Sequence, residues 1–191
     1  MKVIGISGSF ASGQDTLAKH LRDKYGFIWF STSDMVRKAS MERHGSIERP
    51  QLAETATFLR KTRGGGVLVE IGLEEYKKSQ PGAGLVLSGI RSIGEMNAVF
   101  NVHGMMVYTD ADPKMRFERM VSRQRDNEST LTQDEFLGRE QAEWHIGDKD
   151  TDFNKRDIRS YVEKQNMIIW NDTNQEEFLS QAEQKLGLSK N

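Results

Sequence analysis

The residues best suited to chemistry lie near the start of the chain: Gly8, Ser9, Phe10, Ala11, Ser12, Gly13, Gln14, Asp15 and Thr16. A short apolar run, KVIGIS, precedes them, and a helical pattern with Leu17, Ala18 and Leu21 follows. A glycine loop between strand and helix is the setting of the phosphate-binding template G-x-x-x-x-G-K-[ST], and the glycine spacing matches it. Gly8 and Gly13 let the backbone curl so that its N–H groups converge, and the following helix N-terminus adds a favourable dipole for an anion. A plain glycine turn would satisfy the same residues without binding anything, but the placement between strand and helix argues against it. The template lysine is absent. Gln14 stands where an ammonium would reach the β- and γ-phosphates, so the loop can cradle a phosphate but not neutralise it. Asp15 occupies the position of the magnesium-binding hydroxyl, and Thr16 follows. Either Asp15 and Thr16 help hold Mg²⁺, or Asp15 is an ordinary acidic residue of a helix's first turn.

Arginines form the second constellation. Arg116, Arg119, Arg123 and Arg125 fall within ten residues. Arg119 and Arg123 are four apart, so one helix face can present both to a single cleft. Pairing of Arg119 with Glu118 or Glu128 would make the same helix a solvated basic face. Arg37 and Arg91 each follow an apolar strand pattern, where open α/β sheets bind ligands. Asp34 can take a proton from an acceptor hydroxyl, orient Mg²⁺, or simply serve the start of its helix.

The elements that must position these groups alternate along the chain. Apolar strand patterns occur at Lys2–Ser7, Phe27–Ser31, Gly84–Ser88, Met105–Thr109 and Met167–Trp170. Helices are expected over Asp15–Lys24, from Ser33, through most of Gly45–Ser79, over Ile93–Val102, and from Asp112-Pro113 to about Arg125. Another should run from Thr132 to about Trp144, where Thr132 and Glu135 form a capping-box signature, and a last one over Gln175–Leu186. Pro50 suits a helix's first turn, and Gly64-Gly65-Gly66 breaks one helix from the next. This alternation predicts βαβ units and a parallel sheet.

With the loop and these elements in view, the chain resembles the P-loop nucleoside monophosphate kinases: the adenylate kinase, deoxynucleoside monophosphate kinase and dephospho-coenzyme A kinase group. SGQDT is similar to that group's loop with its lysine replaced. Ser31 to Arg37, Leu87 to Arg91, Arg116 to Arg125, and Trp170 to Thr173 resemble, in order, the acceptor-phosphate segments, the helix into the lid, and the adenine-bordering loop. The resemblance implies a three-layer α/β/α fold with a five-stranded parallel sheet and a short lid. It implies one domain over 1–191, with acceptor-binding helices at about 33–79 and the lid at about 123–132. It implies phosphoryl transfer from ATP, with Mg²⁺, to a nucleotide-like acceptor. In that frame Asp34, Arg37 and Arg91 serve the acceptor. Gln14, Asp34, Arg119 and Arg123 serve catalysis. Gly8, Ser9, Ala11, Ser12, Gly13, Gln14, Asp15, Thr16 and Asn171 hold the nucleotide, and Asp15 and Thr16 the metal. The family often has Asp where Ser88 stands. With Gln14, that makes a nucleotide-binding module with little turnover the competing reading.

Composition narrows the field. The 191 residues are 36% hydrophobic and 29% charged, with 17 Gly, 3 Pro and no cysteine. The profile is globular, and it excludes disulfides and thiolate metal sites. A mean hydropathy of −0.65, with no apolar run near the ~20 residues of a membrane span, predicts a cytoplasmic protein without a membrane partner. The strand pattern at the N-terminus does not have the organisation of a signal peptide. A formal charge of −1 gives no reason to expect nucleic acid, leaving small-molecule nucleotides as partners. Asp148 to Asn154 alternates oxygen ligands like a calcium loop but has neither its central Gly nor its final Glu, and is expected to be a solvated loop. His20, His44, His103 and His145 show no metal-ligand spacing. Trp29, Trp144 and Trp170 are expected to pack rather than to stack on a ligand.

Overall fold

The computed structural model describes residues 1–79, 82–123, 131–144 and 153–188. The strands are β1 (Lys2–Gly8), β2 (Ile28–Ser31), β3 (Gly84–Ser88), β4 (Met105–Asp110) and β5 (Ile168–Trp170). They form one all-parallel sheet in the order β2-β3-β1-β4-β5. The helices are α1 (Gln14–Tyr25), α2 (Thr32–His44), α3 (Arg49–Arg63), α4 (Val67–Lys78), α5 (Ile93–Asn101), α6 (Pro113–Ser122), α7 (Gln133–Gln141), α8 (Lys155–Lys164) and α9 (Gln175–Lys185).

The period-two alternation of strand side chains divides the core. Val3, Leu85, Leu87, Met106 and Tyr108 point to one face, against Val69 of α4, Met96 and Val99 of α5, and Ile158 and Val162 of α8. Ile4, Ile6, Val86, Val107 and Ile169 point to the other, against Leu17, Ala18 and Leu21 of α1 and Phe178 and Ala182 of α9. Buried on both faces, β1, β3 and β4 are nearly continuous apolar runs, as central parallel strands must be. A smaller cluster of Val36, Ala56, Val67 and Leu68 joins α2, α3 and α4 beside the sheet. No helix of the described residues is long and apolar enough to cross a membrane.

All five strand patterns are present, and most helices begin within a residue or two of expectation. The Thr132–Glu135 capping box forms, as does a second one at Ser92 and Glu95. Asp112 accepts hydrogen bonds from the N–H groups of Lys114 and Met115 and so starts α6 beside Pro113. Three expectations need correction. The helix expected to reach about Arg125 ends at Ser122, with Arg123 as its cap. The next ends at Gln141, short of Trp144. The sequence reading placed no helix between Asn154 and Met167, yet α8 lies there, capped by Asn154 accepting from Asp157 N. Most of the expected lid (124–130), Arg125, His145 and the calcium-like stretch 148–152 lie outside the described residues.

Candidate functional site

The carboxyl ends of the strands open into a cleft of about 1000 Å³. Its floor is the loop between β1 and α1. Gly13, at φ +107°, makes the turn into the helix, and Ala11 also takes a left-handed conformation at φ +56°. The loop is anchored from several sides. Ser9 N donates to Thr109 O (3.1 Å), and Ser12 Oγ lies 2.7 Å from Thr109 Oγ1. Asn171, after β5, donates from Nδ2 to Ser12 O (2.9 Å). Phe10 is held at both main-chain ends: its N–H donates to Glu140 Oε1 (3.1 Å), and its carbonyl accepts from Arg116 Nη1 (3.3 Å). Such multiple restraint fixes a cradle before any ligand arrives, which is how a binding loop avoids an ordering cost.

Gln14 turns its amide back onto the loop. Nε2 donates to Gly8 O at 3.0 Å, with Ser9 O at 3.5 Å. The residue in the lysine position thus braces the loop with a neutral donor.

The other sequence-predicted groups converge on the same space. Ala11, Ser12, Gly13, Gln14, Asp15, Thr16, Asp34, Arg37, Arg91, Arg119, Arg123 and Asn171 all line the cleft, while Gly8 and Ser9 lie beneath its surface. Asp34 and Arg37 form an exposed ion pair of 2.7 Å within the first turns of α2. Arg91, just past β3, donates to Glu143 Oε1 (3.1 Å) and Ser33 Oγ (3.4 Å). Arg119 has a buried Nη1 with no hydrogen-bond partner among the described residues, a donor suited to an anion entering the cleft. Ser88 lines the cleft and accepts from Trp29 Nε1 at 3.0 Å, so Trp29 is part of the wall.

Arg116 departs from expectation. It is only 4% exposed and faces away from the cleft, donating to Ala111 O (2.8 Å) and to both carboxylate oxygens of Glu140. A two-pronged arginine–carboxylate pair of this kind is geometrically rigid. Its work here is to hold the loop through Phe10, which sets it apart from Arg119 and Arg123 on the cleft wall.

Sequence reasoning missed Lys155 and Glu143. Lys155 opens α8, is 2% exposed, and still reaches the cleft wall. Its Nζ lies 2.5 Å from Glu143 Oε2 and 4.8 Å from the centroid of the Phe10 ring. Burial pushes the Lys155 ammonium below the usual lysine range, against the pull of Glu143. Burial alone would raise the Glu143 carboxyl, but Lys155 and Arg91 together hold it below the usual range. No local signal marks Lys155, because its burial comes from α7 and the loop rather than from its sequence neighbours.

No family model matches the chain. It is 30% identical over 189 residues to a UPF0200 protein of Pyrobaculum aerophilum, covering 98% of this chain and 95% of that one. It is 31% identical over 189 residues to a UPF0200 protein of Saccharolobus solfataricus, covering 96% and 92%. Among solved structures, TT1252 from Thermus thermophilus superposes with a TM-score of 0.64 at 21% identity, over 96% of this chain and 95% of that one. An unliganded sugar kinase from Janibacter sp. superposes at 0.52 and 13% identity, over 99% and 96%. The fold is the three-layer α/β/α arrangement of P-loop kinase-like proteins.

Proposed function

The chain belongs to the UPF0200 family, and from that premise and the cleft we propose that it transfers the terminal phosphoryl group of a nucleoside triphosphate to a nucleotide-like acceptor. One observation carries the reading: a pre-shaped phosphate loop faces a cleft into which arginines from α2, α6 and the end of β3 converge. Phosphoryl transfer needs alignment and charge neutralisation more than covalent help from the protein. The sugar kinase from Janibacter sp. agrees with it at the level of fold.

In this reading the loop from Gly8 to Thr16 holds the triphosphate of ATP, and Asn171 keeps the loop in place. Arg37 and Arg91 grip the acceptor, Asp34 orienting Arg37 through its ion pair. An acceptor oxygen attacks the γ-phosphorus while the bond from phosphorus to the bridging oxygen breaks, leaving the diphosphate. Where the acceptor is a hydroxyl, its proton passes to Asp34. Arg119 and Arg123 neutralise charge on the group in flight, where a single well-aimed donor is worth about 3 kcal/mol, or roughly 100-fold in rate. Mg²⁺ suits the site chemically: Asp15 and Thr16 offer hard oxygen ligands on the cleft wall. The described residues contain no group of three His, Asp or Glu able to hold a metal, so these two would share the ion with the phosphates. When bound, it would neutralise phosphate charge.

The bent-back amide of Gln14 favours a second reading, a module that binds nucleotide and turns it over little. A screen with labelled ATP, Mg²⁺ and a panel of nucleoside monophosphates, deoxynucleotides, nucleosides and dephospho-coenzyme A separates the two. Phosphorylation of one acceptor is the expected result. Calorimetry showing no binding of any nucleoside triphosphate at millimolar concentration would overturn both.

A further inference from the structure

We infer that Lys155 supplies the phosphate-neutralising charge that the loop itself does not carry, so that Gln14 and Lys155 divide between them the work of a P-loop lysine. The inference rests on the proposed reading of the loop as a triphosphate site and assigns the cation that makes it competent.

A lysine in the template position brings charge to the β- and γ-phosphates. Gln14 brings none, and its one well-placed donor is occupied by Gly8 O. The loop's third residue, Phe10, has the Lys155 ammonium over its ring at 4.8 Å. The side chain therefore reaches the floor of the cleft from α8, which packs on the opposite face of the sheet from α1. Its placement is fixed. Asn154 N donates to Arg91 O (2.7 Å), Lys155 N donates to Glu143 O (3.2 Å), and Arg156 N donates to Trp144 O (3.2 Å). The start of α8 is thus pinned to the segment that follows β3 and to the residues that follow α7.

Charge accounting points the same way. The neighbouring buried arginines each have a carboxylate: Arg60 has Glu95 (2.8 Å), and Arg116 has Glu140. Lys155 and Arg91, by contrast, share Glu143. Among the described residues, two cations thus share one carboxylate at the cleft wall. An ammonium has three donors, and among the described residues Glu143 is the carboxylate within ion-pairing distance. Burying a lysine in this way does little for stability compared with apolar packing. An incoming phosphate would supply the missing negative charge. Arg91, placed on the acceptor side, would be linked to Lys155 through the same carboxylate, so one group would order both ends of the transfer.

The test begins on the unaltered protein with an acyl-phosphate derivative of ATP. Its carbonyl is attacked by an amine beside the γ-phosphate, the amide forms, and ATP leaves. Peptide mapping should find the acyl group on Lys155, with labelling suppressed by excess ATP and Mg²⁺. Labelling confined to other lysines would overturn the inference. By calorimetry, Lys155→Gln should weaken ATP·Mg²⁺ binding by at least roughly tenfold, since a charge-assisted contact is lost. Gln14→Lys in that background should restore most of it, which repair of a merely structural defect would not do. Equal ATP affinity in the wild type and Lys155→Gln would overturn this inference and leave the phosphoryl-transfer reading standing. A wild type that binds no nucleoside triphosphate would take both down. Should Lys155→Gln fail to fold by circular dichroism, the labelling result decides.

Discussion

At the scale of single residues, the loop depends on one backbone geometry that only glycine takes at low cost. Gly13 sits at φ +107°, and a Cβ there would stand 2.6 Å from Asn171 Nδ2 and 3.1 Å from the Phe178 ring. Asn171 cannot retreat without releasing Ser12 O, and Phe178 is buried at 1% exposure. Gly13→Ala should therefore cost roughly 1–3 kcal/mol in backbone strain alone. The melting temperature should fall by roughly 2–12 °C for a chain of this length, and ATP binding should be lost with the cradle. Gly26 is the control. It is also left-handed, at φ +71°, but nothing lies within 4 Å of its Cβ position. Gly26→Ala should lower stability by roughly 1–2 kcal/mol and leave ATP affinity unchanged. Equal loss of ATP binding in both variants would mean that the loop's shape is not what binds.

At the scale of elements, what was legible in the sequence tracks how local the signal is. The central strands announce themselves because burial on both faces makes them apolar throughout, and α5, α6 and α7 carry caps in their own residues. Helix α8 went unread because Ile158, Tyr161 and Val162 are few among charged neighbours, and its Asn154 cap does not have the glutamate of a capping box. The same blindness hid Lys155, which resembles any surface lysine until α7 and the loop close over it. Arg37 and Arg91 are legible because they follow strand ends, and Arg119 and Arg123 because they are four apart on one helix; the division of Arg116 from Arg119 is not, since it turns on Glu140 across the fold. Layer contacts are equally nonlocal. Glu183 of α9 accepts from Lys24 Nζ and pairs with His20 Nε2 of α1, each at 2.6 Å. Hydrogen bonding from Lys24, aided by His20 and Tyr25 and opposed by burial, lowers its carboxyl from 4.5 to about 2. A folded-state value below the unfolded one stabilises the fold above the unfolded value. That contribution must be lost as pH falls from about 4.5 to about 2. Thermal melts should show wild type above Glu183→Gln at pH 5, the gap closing as pH approaches 2. A gap independent of pH over that range would mean the carboxylate's charge does not join α1 to α9.

At the scale of the whole molecule, the order β2-β3-β1-β4-β5 places β2 and β3 on one side of β1 and β4 and β5 on the other. Ligands of open α/β sheets bind at the carboxyl end of such a switch point, and the loop leaving β1 lies there. The sheet also sorts the arginines. Arg37 on α2 and Arg91 follow β2 and β3, on one side of β1, whereas Arg119 and Arg123 follow β4, on the other. Each pair thus meets the loop from its own flank, and the two should fail differently. On the proposed assignment Arg37 and Arg91 bind the acceptor equally in ground and transition states, so Arg37→Ala and Arg91→Ala should mainly raise the acceptor KM. On the same assignment Arg119 and Arg123 make contacts that strengthen as charge moves, so their removal should lower kcat, by roughly 100-fold for a well-aimed donor. Unpartnered among the described residues, the Nη1 of Arg119 makes it the stronger of the two cases. Steady-state kinetics on the acceptor identified by the labelled-ATP screen would measure the split. If turnover is too slow to follow, binding should show it: Arg37→Ala should lose the acceptor and keep ATP. Loss of ATP binding in Arg37→Ala with acceptor binding intact would reverse the assignment of the two flanks.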